Sequence, residues 1–185
     1  MNHARKSIGL IELSSVAAGF LVADAMLKAA NVKLYLSRSI CSGKYMVLIG
    51  GDVGPVESAV EAGEQAARGT LIDRFIIANV HPDVFIALGR SEVPDVGDAL
   101  GVIESFSVAA LIEAADAAAK AANVKLLEVR LAMALGGKAF CTMTGDVASV
   151  QAAVDAGKDV LSKRGVLVNA VVIPRPRPEV YRETV

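Results

Sequence analysis

Apolar positions fall into short runs and into steps of three and four, and the same succession occurs twice along the chain. "SIGLIEL", from Ser7, is an apolar run of strand length. From Val16, apolar residues recur at Phe20, Ala23, Leu27 and Ala30, the spacing of a helix. Val108, Ile112, Ala115, Ala119 and Ala122 repeat that spacing. Ser15 and Ser107 stand where a serine oxygen would accept from an orphan amide of the first turn. Asn31 and Asn123 close these helices, and asparagine tolerates a left-handed cap. "VKLYLSRSI", a turn around Ser42-Gly43 and "KYMVLIGG" read as a hairpin. Asp52 and Asp146 then cap a second helix, with Pro55 allowed in its first turn. A last strand, "LIDRFIIANV" in one copy and "GVLVNAVVIP" in the other, completes β-α-β-β-α-β. The predicted class is α/β of the α+β type. It comprises two fused ferredoxin-like units, each an antiparallel sheet with its helices on one face.

The repeat is explicit in the residues. "GLIELSSVAAGFLVADAMLKAANVKL" begins at Gly9 and "GVIESFSVAALIEAADAAAKAANVKL" at Gly101, an offset of 101 − 9 = 92. It holds for Glu12/Glu104, Asp24/Asp116, Lys28/Lys120 and Asn31/Asn123. Gly43-Lys44 answers Gly137-Lys138, and Gly51-Asp52-Val53 answers Gly145-Asp146-Val147, now with an offset of 94. The second copy therefore carries two extra residues between Leu126 and Gly137. They fall on the stretch that holds Cys41 in copy one, and loops are where function is varied. The predicted domains are 7–89 and 99–180, with 90–98 a linker of Gly, Ser, Pro and Asp composition.

Composition narrows the function classes. A formal net charge of −1 makes no electrostatic case for nucleic acid. Apolar residues make up 54%, enough to exceed what a monomer hides. No apolar run approaches the roughly 18 residues of a membrane span. "MNHARKSIGLIEL" has no signal-peptide core, so a cytosolic protein with no membrane partner is expected. Two cysteines argue against a disulfide framework.

Few residues stand out as chemistry. Cys41 sits in "RSICSGK", between Arg38 and Lys44. Taken alone, such a cysteine is more often an inert small residue than a ligand. Cys141 aligns with Val47 inside a strand (141 − 94 = 47), which points to core packing. Gly43-Lys44 and Gly137-Lys138 match no G-x-x-x-x-G-K-S/T phosphate loop and read as hairpin turns. Glu12 and Glu104 are read as structural rather than as a catalytic pair. His3 and His81 have no metal-ligand company in sequence, and no catalytic residue is assigned.

Gly-x-Ile-Glu at Gly9 and Gly101, "ADAMLKAANVKL" with "ADAAAKAANVKL", Gly-Lys at each hairpin, "GDV" before each second helix and "IPRPR" from Ile173 together carry a resemblance. Each half resembles a bacterial microcompartment shell domain in the unpermuted strand order. The whole is similar to tandem-domain shell proteins that trimerise into pseudohexameric tiles, most of all to the T-type shell proteins of propanediol-utilisation compartments. The resemblance implies a non-enzymatic shell tile. Its partners would be two further copies of itself, other shell proteins, and an encapsulated or cytosolic redox enzyme. It also implies that the copy-one hairpin points at the threefold axis, where one cysteine per chain becomes three thiolates. These would hold three corners of a 4Fe-4S cluster, one per trimer, for electron transfer across the shell or redox sensing. Arg38 and Lys44 would offset its charge.

On the same basis the axial loops comprise Ser39, Ile40, Ser42, Gly43 and Lys44 from copy one and Leu135, Gly136 and Gly137 from copy two. Lys28, Lys120, Asn79 and Arg175 would lie at tile edges. Relatives often carry proline after the cysteine. Here it is Ser42, and restoring proline should tighten the turn where the backbone angle suits it. Two alternatives stay open: a tile whose axial loops form a pore for small metabolites, with Cys41 lining it, and a ferredoxin-like small-ligand regulator.

Overall fold

The computed structural model describes residues 7–89, 97–132 and 135–180. Contacts divide the chain into two units at Val80/His81. His3 and most of the expected linker (90–96) lie outside the described residues.

The first unit runs β1 (Ser7–Leu13), α1 (Val16–Ala29), β2 (Lys33–Ile40), a short 3-10 turn (Cys41–Gly43), β3 (Lys44–Gly51), α2 (Val53–Ala67) and β4 (Leu71–Ile77). Its sheet has the order β2-β3-β1-β4, with every pairing antiparallel. Alternation along β1 sends Ile11 and Leu13 toward the helices, where they join Val22, Met26, Tyr45, Val47, Ile49, Val56 and Val60 in one core. Burying such side chains supplies about 1.5–3 kcal/mol each. Gly9 lets α2 approach, since a Cβ there would lie 2.4 Å from Val60. Gly101 does the same against Val154, at 2.7 Å.

The second unit opens with a short helix, α3 (Pro82–Leu88). It continues β5 (Ala99–Ser105), α4 (Val108–Ala121), β6 (Lys125–Leu131), β7 (Ala139–Gly145), α5 (Val147–Lys163) and β8 (Leu167–Pro174). Its sheet, β6-β7-β5-β8, is again antiparallel throughout. Both units are thus the expected β-α-β-β-α-β arrangement. Residues 81–89, grouped with copy one in the sequence, pack instead on β6 and α4, and the backbone amide of His81 donates to Asp116 at 2.7 Å.

Local chemistry explains most boundaries. Ser15 and Ser107 cap α1 and α4 by accepting from the amides of Ala18 and Ala110. Asp52 and Asp146 occupy the N-cap positions of α2 and α5. Only Asp146 bonds its helix, accepting from the Ser149 amide at 2.9 Å and the Ser149 hydroxyl at 2.6 Å. Those two bonds hold the Asp146 carboxyl below its ordinary range. The left-handed cap expected at Asn31 and Asn123 does not form. Ala30 and Ala122 are already extended, and the amides of Val32 and Val124 donate to the Ala30 and Ala122 carbonyls at 3.0 and 2.9 Å. A three-residue turn does the work of a left-handed residue, because the next strand must start at once.

Candidate functional site

The tip of the first hairpin is built on the closing pair Ile40↔Lys44, with Cys41, Ser42 and Gly43 between. Ile40 is buried, Cys41 half-buried, and Ser39, Ser42 and Gly43 exposed. Ser42 has φ 67° and ψ 26°, and Gly43 has φ 71°. Two successive left-handed residues turn the chain within three residues. The second is glycine, which takes that conformation without cost; the first costs about 1 kcal/mol. Proline cannot replace Ser42 here, since its ring holds φ near −65°. The expectation that proline would tighten this turn is therefore corrected. A Cβ on Gly43 would meet nothing within 4 Å, so the space beside Gly43 is open.

The second hairpin is wider. Its ladder stops at Leu131↔Ala139, and the two inserted residues fall in the loop beyond. Ala132 (φ 46°), Gly136 (φ 61°) and Gly137 (φ 89°) turn left-handed, and the Lys138 amide donates to the Leu135 carbonyl at 3.1 Å. Gly136 is exposed, and Leu135 and Gly137 are half-buried.

The two cations beside Cys41 in sequence differ in their partners. Lys44 Nζ donates to Glu12 Oε1 at 2.9 Å, an ion pair with a buried carboxylate. Lys138 makes the equivalent pair with Glu104 at 2.6 Å. Arg38 has a buried Nε without a hydrogen-bond partner. Its counterpart Arg130 is held by Glu128, at 2.7 Å from Nε, and lies over the Phe140 ring at 5.3 Å. Leu36 stands where Glu128 stands, which is why Arg38 lacks that acceptor. Cys141 is fully buried in β7, opposite Ile103, and burial pushes its thiol up to about 12. It is the core residue its alignment with Val47 suggests. Neither cysteine is in a disulfide. Among the described residues of one chain, no three His, Cys, Asp or Glu gather as a metal site.

The residues expected at tile edges are paired or specially bent. Lys28 bonds Asp24 at 2.6 Å on the exposed side of α1, and Lys120 bonds Asp116 at 2.5 Å. Asp116 is buried and also accepts from the His81 amide; Asp24 is open to solvent. Asn79 and Arg175 each follow the last strand of their unit in left-handed conformation, φ 57° and 48°. They are the same structural position, since Ile8↔Ile77 and Leu100↔Ile173 set an offset of 173 − 77 = 96. The Asp24–Lys28 and Asp116–Lys120 pairs were visible in sequence as an acid four residues before a lysine on a helix. The Glu12–Lys44 pair was not singled out, although both copies keep Glu and Gly-Lys.

α1 and α4 differ in what they cover. α1 buries Gly19, Val22, Ala23 and Met26 on its own sheet and leaves Val16, Phe20, Leu21 and Leu27 outside, with Phe20 66% exposed. At the equivalent positions of α4, Val108, Ile112 and Ala119 are buried. The outward sheet faces differ in the opposite sense. Leu10 and Phe75 are buried in the first unit, whereas Val171 and Ile173 are exposed and Val102 half-buried in the second.

Fold and motifs thus define a tandem protein of two ferredoxin-like units carrying one cysteine hairpin. The family model described as "BMC domain" matches residues 7–80 and again 99–176. The chain is similar to the bacterial microcompartment shell protein PduT of Citrobacter freundii, 42% identical over 180 residues, covering 97% of this chain and 98% of that one. The shell protein EutM of Salmonella typhimurium is 48% identical over 79 residues, 43% of this chain and 80% of its own. A crystal structure of a microcompartment protein from Desulfitobacterium hafniense superposes with a TM-score of 0.90 at 51% identity, covering 97% of this chain and 99% of that one. This chain belongs to the bacterial microcompartment shell family and is a tandem-domain tile of such a shell.

Proposed function

We propose that three chains close head to tail into a pseudohexameric tile with Cys41 of each chain at the threefold axis, where the three thiolates hold one 4Fe-4S cluster. The observation that carries the assembly is the pair of open apolar faces. Phe20 and Leu27 of α1 are exposed where the equivalent Ile112 and Ala119 of α4 are buried, and Val171 and Ile173 are exposed on the other unit. Two different faces that complement each other make a heterologous contact, which closes into a ring when the rotation allows.

The cluster reading rests on placement and donor chemistry. Cys41 lies at an open hairpin tip, and Cys141 is sealed in the core. With no three-ligand group within the described residues of one chain, a shared site needs one donor from each of several chains. Soft thiolates suit an iron–sulfur group. When bound, the cluster supplies one-electron transfer, across the shell or as a redox sensor. The chain's own part is to present the thiolates and keep the loops in place. The function is that of a structural component, working with other shell proteins and a redox enzyme, in a compartment within the bacterial cytoplasm.

Mass measurement in solution should give three chains. Iron and sulfide analysis of anaerobically purified protein should then show a single cluster per trimer. Cys41→Ser should abolish the iron and leave the trimer, because a hydroxyl is a hard ligand; Cys141→Ser should retain the iron. A trimer without iron would favour the second reading, in which Ser39–Lys44 and Leu135–Gly137 line a pore for small metabolites. A monomer would overturn both and favour a small-ligand regulator.

A further inference from the structure

Glu12 is a buried carboxylate on an interior strand of the first sheet. It lies on β1, which is paired on both sides, and only 2% of its side chain is exposed. Leu10, two residues earlier on the same face of β1, is fully buried. A charge persists in such a place only when it is paired and hydrogen-bonded. Its partner is Lys44, at 2.9 Å.

The position of Lys44 gives that pair a consequence. The backbone ladder between β1 and β3 ends at Leu13↔Tyr45, one residue short of Lys44. On its other side Lys44 closes the hairpin with Ile40. The ion pair therefore carries the attachment one step past the ladder, to the residue that begins where the Cys41–Gly43 tip ends. In the second unit the ladder of β5 with β7 also stops one residue short, at Ser105↔Ala139, and Lys138 also reaches back to a glutamate. There, however, the hairpin ladder has stopped at Leu131↔Ala139, and both side chains are 30% or more exposed. A solvent-screened pair on an open loop holds little.

We propose that Glu12 is a positioning residue for Cys41: through Lys44 it fixes the base of the hairpin tip against the central strand. Glu104, its sequence twin, lacks this role. The ordering of the loop stands by itself; the effect on cluster retention rests on the tile reading above.

Full-length Glu12→Gln, Glu104→Gln and Lys44→Arg are compared with the parent by hydrogen exchange and by iron and sulfide retained after anaerobic purification. Glu12→Gln should speed exchange of the Ile40–Tyr45 amides about tenfold, as for loss of one charge-assisted bond. It should leave the β6–β7 amides unchanged and lower the retained iron. Glu104→Gln should leave Ile40–Tyr45 unchanged, and Lys44→Arg, which keeps the pair, should match the parent. Unchanged exchange at Ile40–Tyr45 in Glu12→Gln overturns the proposal, as does a rise spread evenly over the unit, which marks general destabilisation. Equal iron retention beside a loosened tip overturns the link to Cys41. If Glu12→Gln does not fold, the neutral double variant Glu12→Gln/Lys44→Met is read in the same way. A parent that never holds iron, with the local exchange change intact, removes the cluster and keeps the positioning role.

Discussion

Ser42 is the residue on which the cysteine loop turns, and its φ of 67° decides what may replace it. Proline would have to rotate the backbone by more than a right angle, and the closing pair Ile40↔Lys44 leaves no room for that. Ser42→Pro should therefore destabilise the first unit by about 3 kcal/mol, read as a lower denaturation midpoint. A Ser42→Pro chain as stable as the parent would mean that the tip has a different backbone. The two cysteines differ at the same scale. Cys41 and Cys141 are equally bare of ligand company in the sequence. Alignment with Val47 sets Cys141 apart and burial completes the difference, leaving one cysteine at a tip and the other protonated inside a sheet.

At the scale of elements, the two copies use the same caps with different chemistry. Asp146 bonds the first turn of α5, while Asp52 begins α2 without a side-chain bond. Asp146→Ala should therefore lower the denaturation midpoint more than Asp52→Ala at neutral pH. The carboxyl of Asp146 is held below its ordinary range, so its folded form binds a proton less readily than the unfolded chain does. Its contribution is present above the usual carboxylate pKa, about 3.9, and is lost as pH falls through the lower folded value. The gap between the two variants should close in that acid range. A gap that persists there would mean the cap acts through something other than the ionised carboxylate. The hairpins follow the same rule of shared frame and varied detail. A two-residue insertion moves the last ladder pair back by one position and frees Lys138 from the hairpin.

For the whole molecule, repetition at tile edges turns small terms into decisive ones, since every contact recurs around the tile. Lys28 and Lys120 are equivalent in sequence and unequal in the folded chain. Lys28 and Asp24 are an exposed pair, worth well under about 1 kcal/mol to stability. Lys120 neutralises Asp116, whose side chain is 8% exposed. Lys28→Asp should leave stability within about 0.5 kcal/mol and, in the proposed assembly, the trimer intact, yet abolish lateral sheets in electron micrographs. Lys120→Asp should in addition cost about 3 kcal/mol, because it places a second anion beside a buried one. Sheets formed unchanged by Lys28→Asp would make that lysine an ordinary surface residue.

The sequence by itself determined the duplicated β-α-β-β-α-β order, the serine caps, the core role of Cys141 and the single varied loop. These depend on local periodicity, cap chemistry and self-comparison, all of which are written in neighbouring residues. Only the tertiary structure decided the rest. It turned Phe20 and Leu27, which share a helical stripe with buried Ala23, out of the core, because α1 has more apolar surface than its own sheet can cover. It replaced left-handed asparagine caps by three-residue turns and moved residues 81–89 onto the second unit. It gave Lys44 to Glu12, 32 residues away, because that pairing follows from strand register and not from spacing along the chain. It also set Ser42 left-handed beside Gly43, so that two successive left-handed residues share the reversal within the connection closed by Ile40↔Lys44.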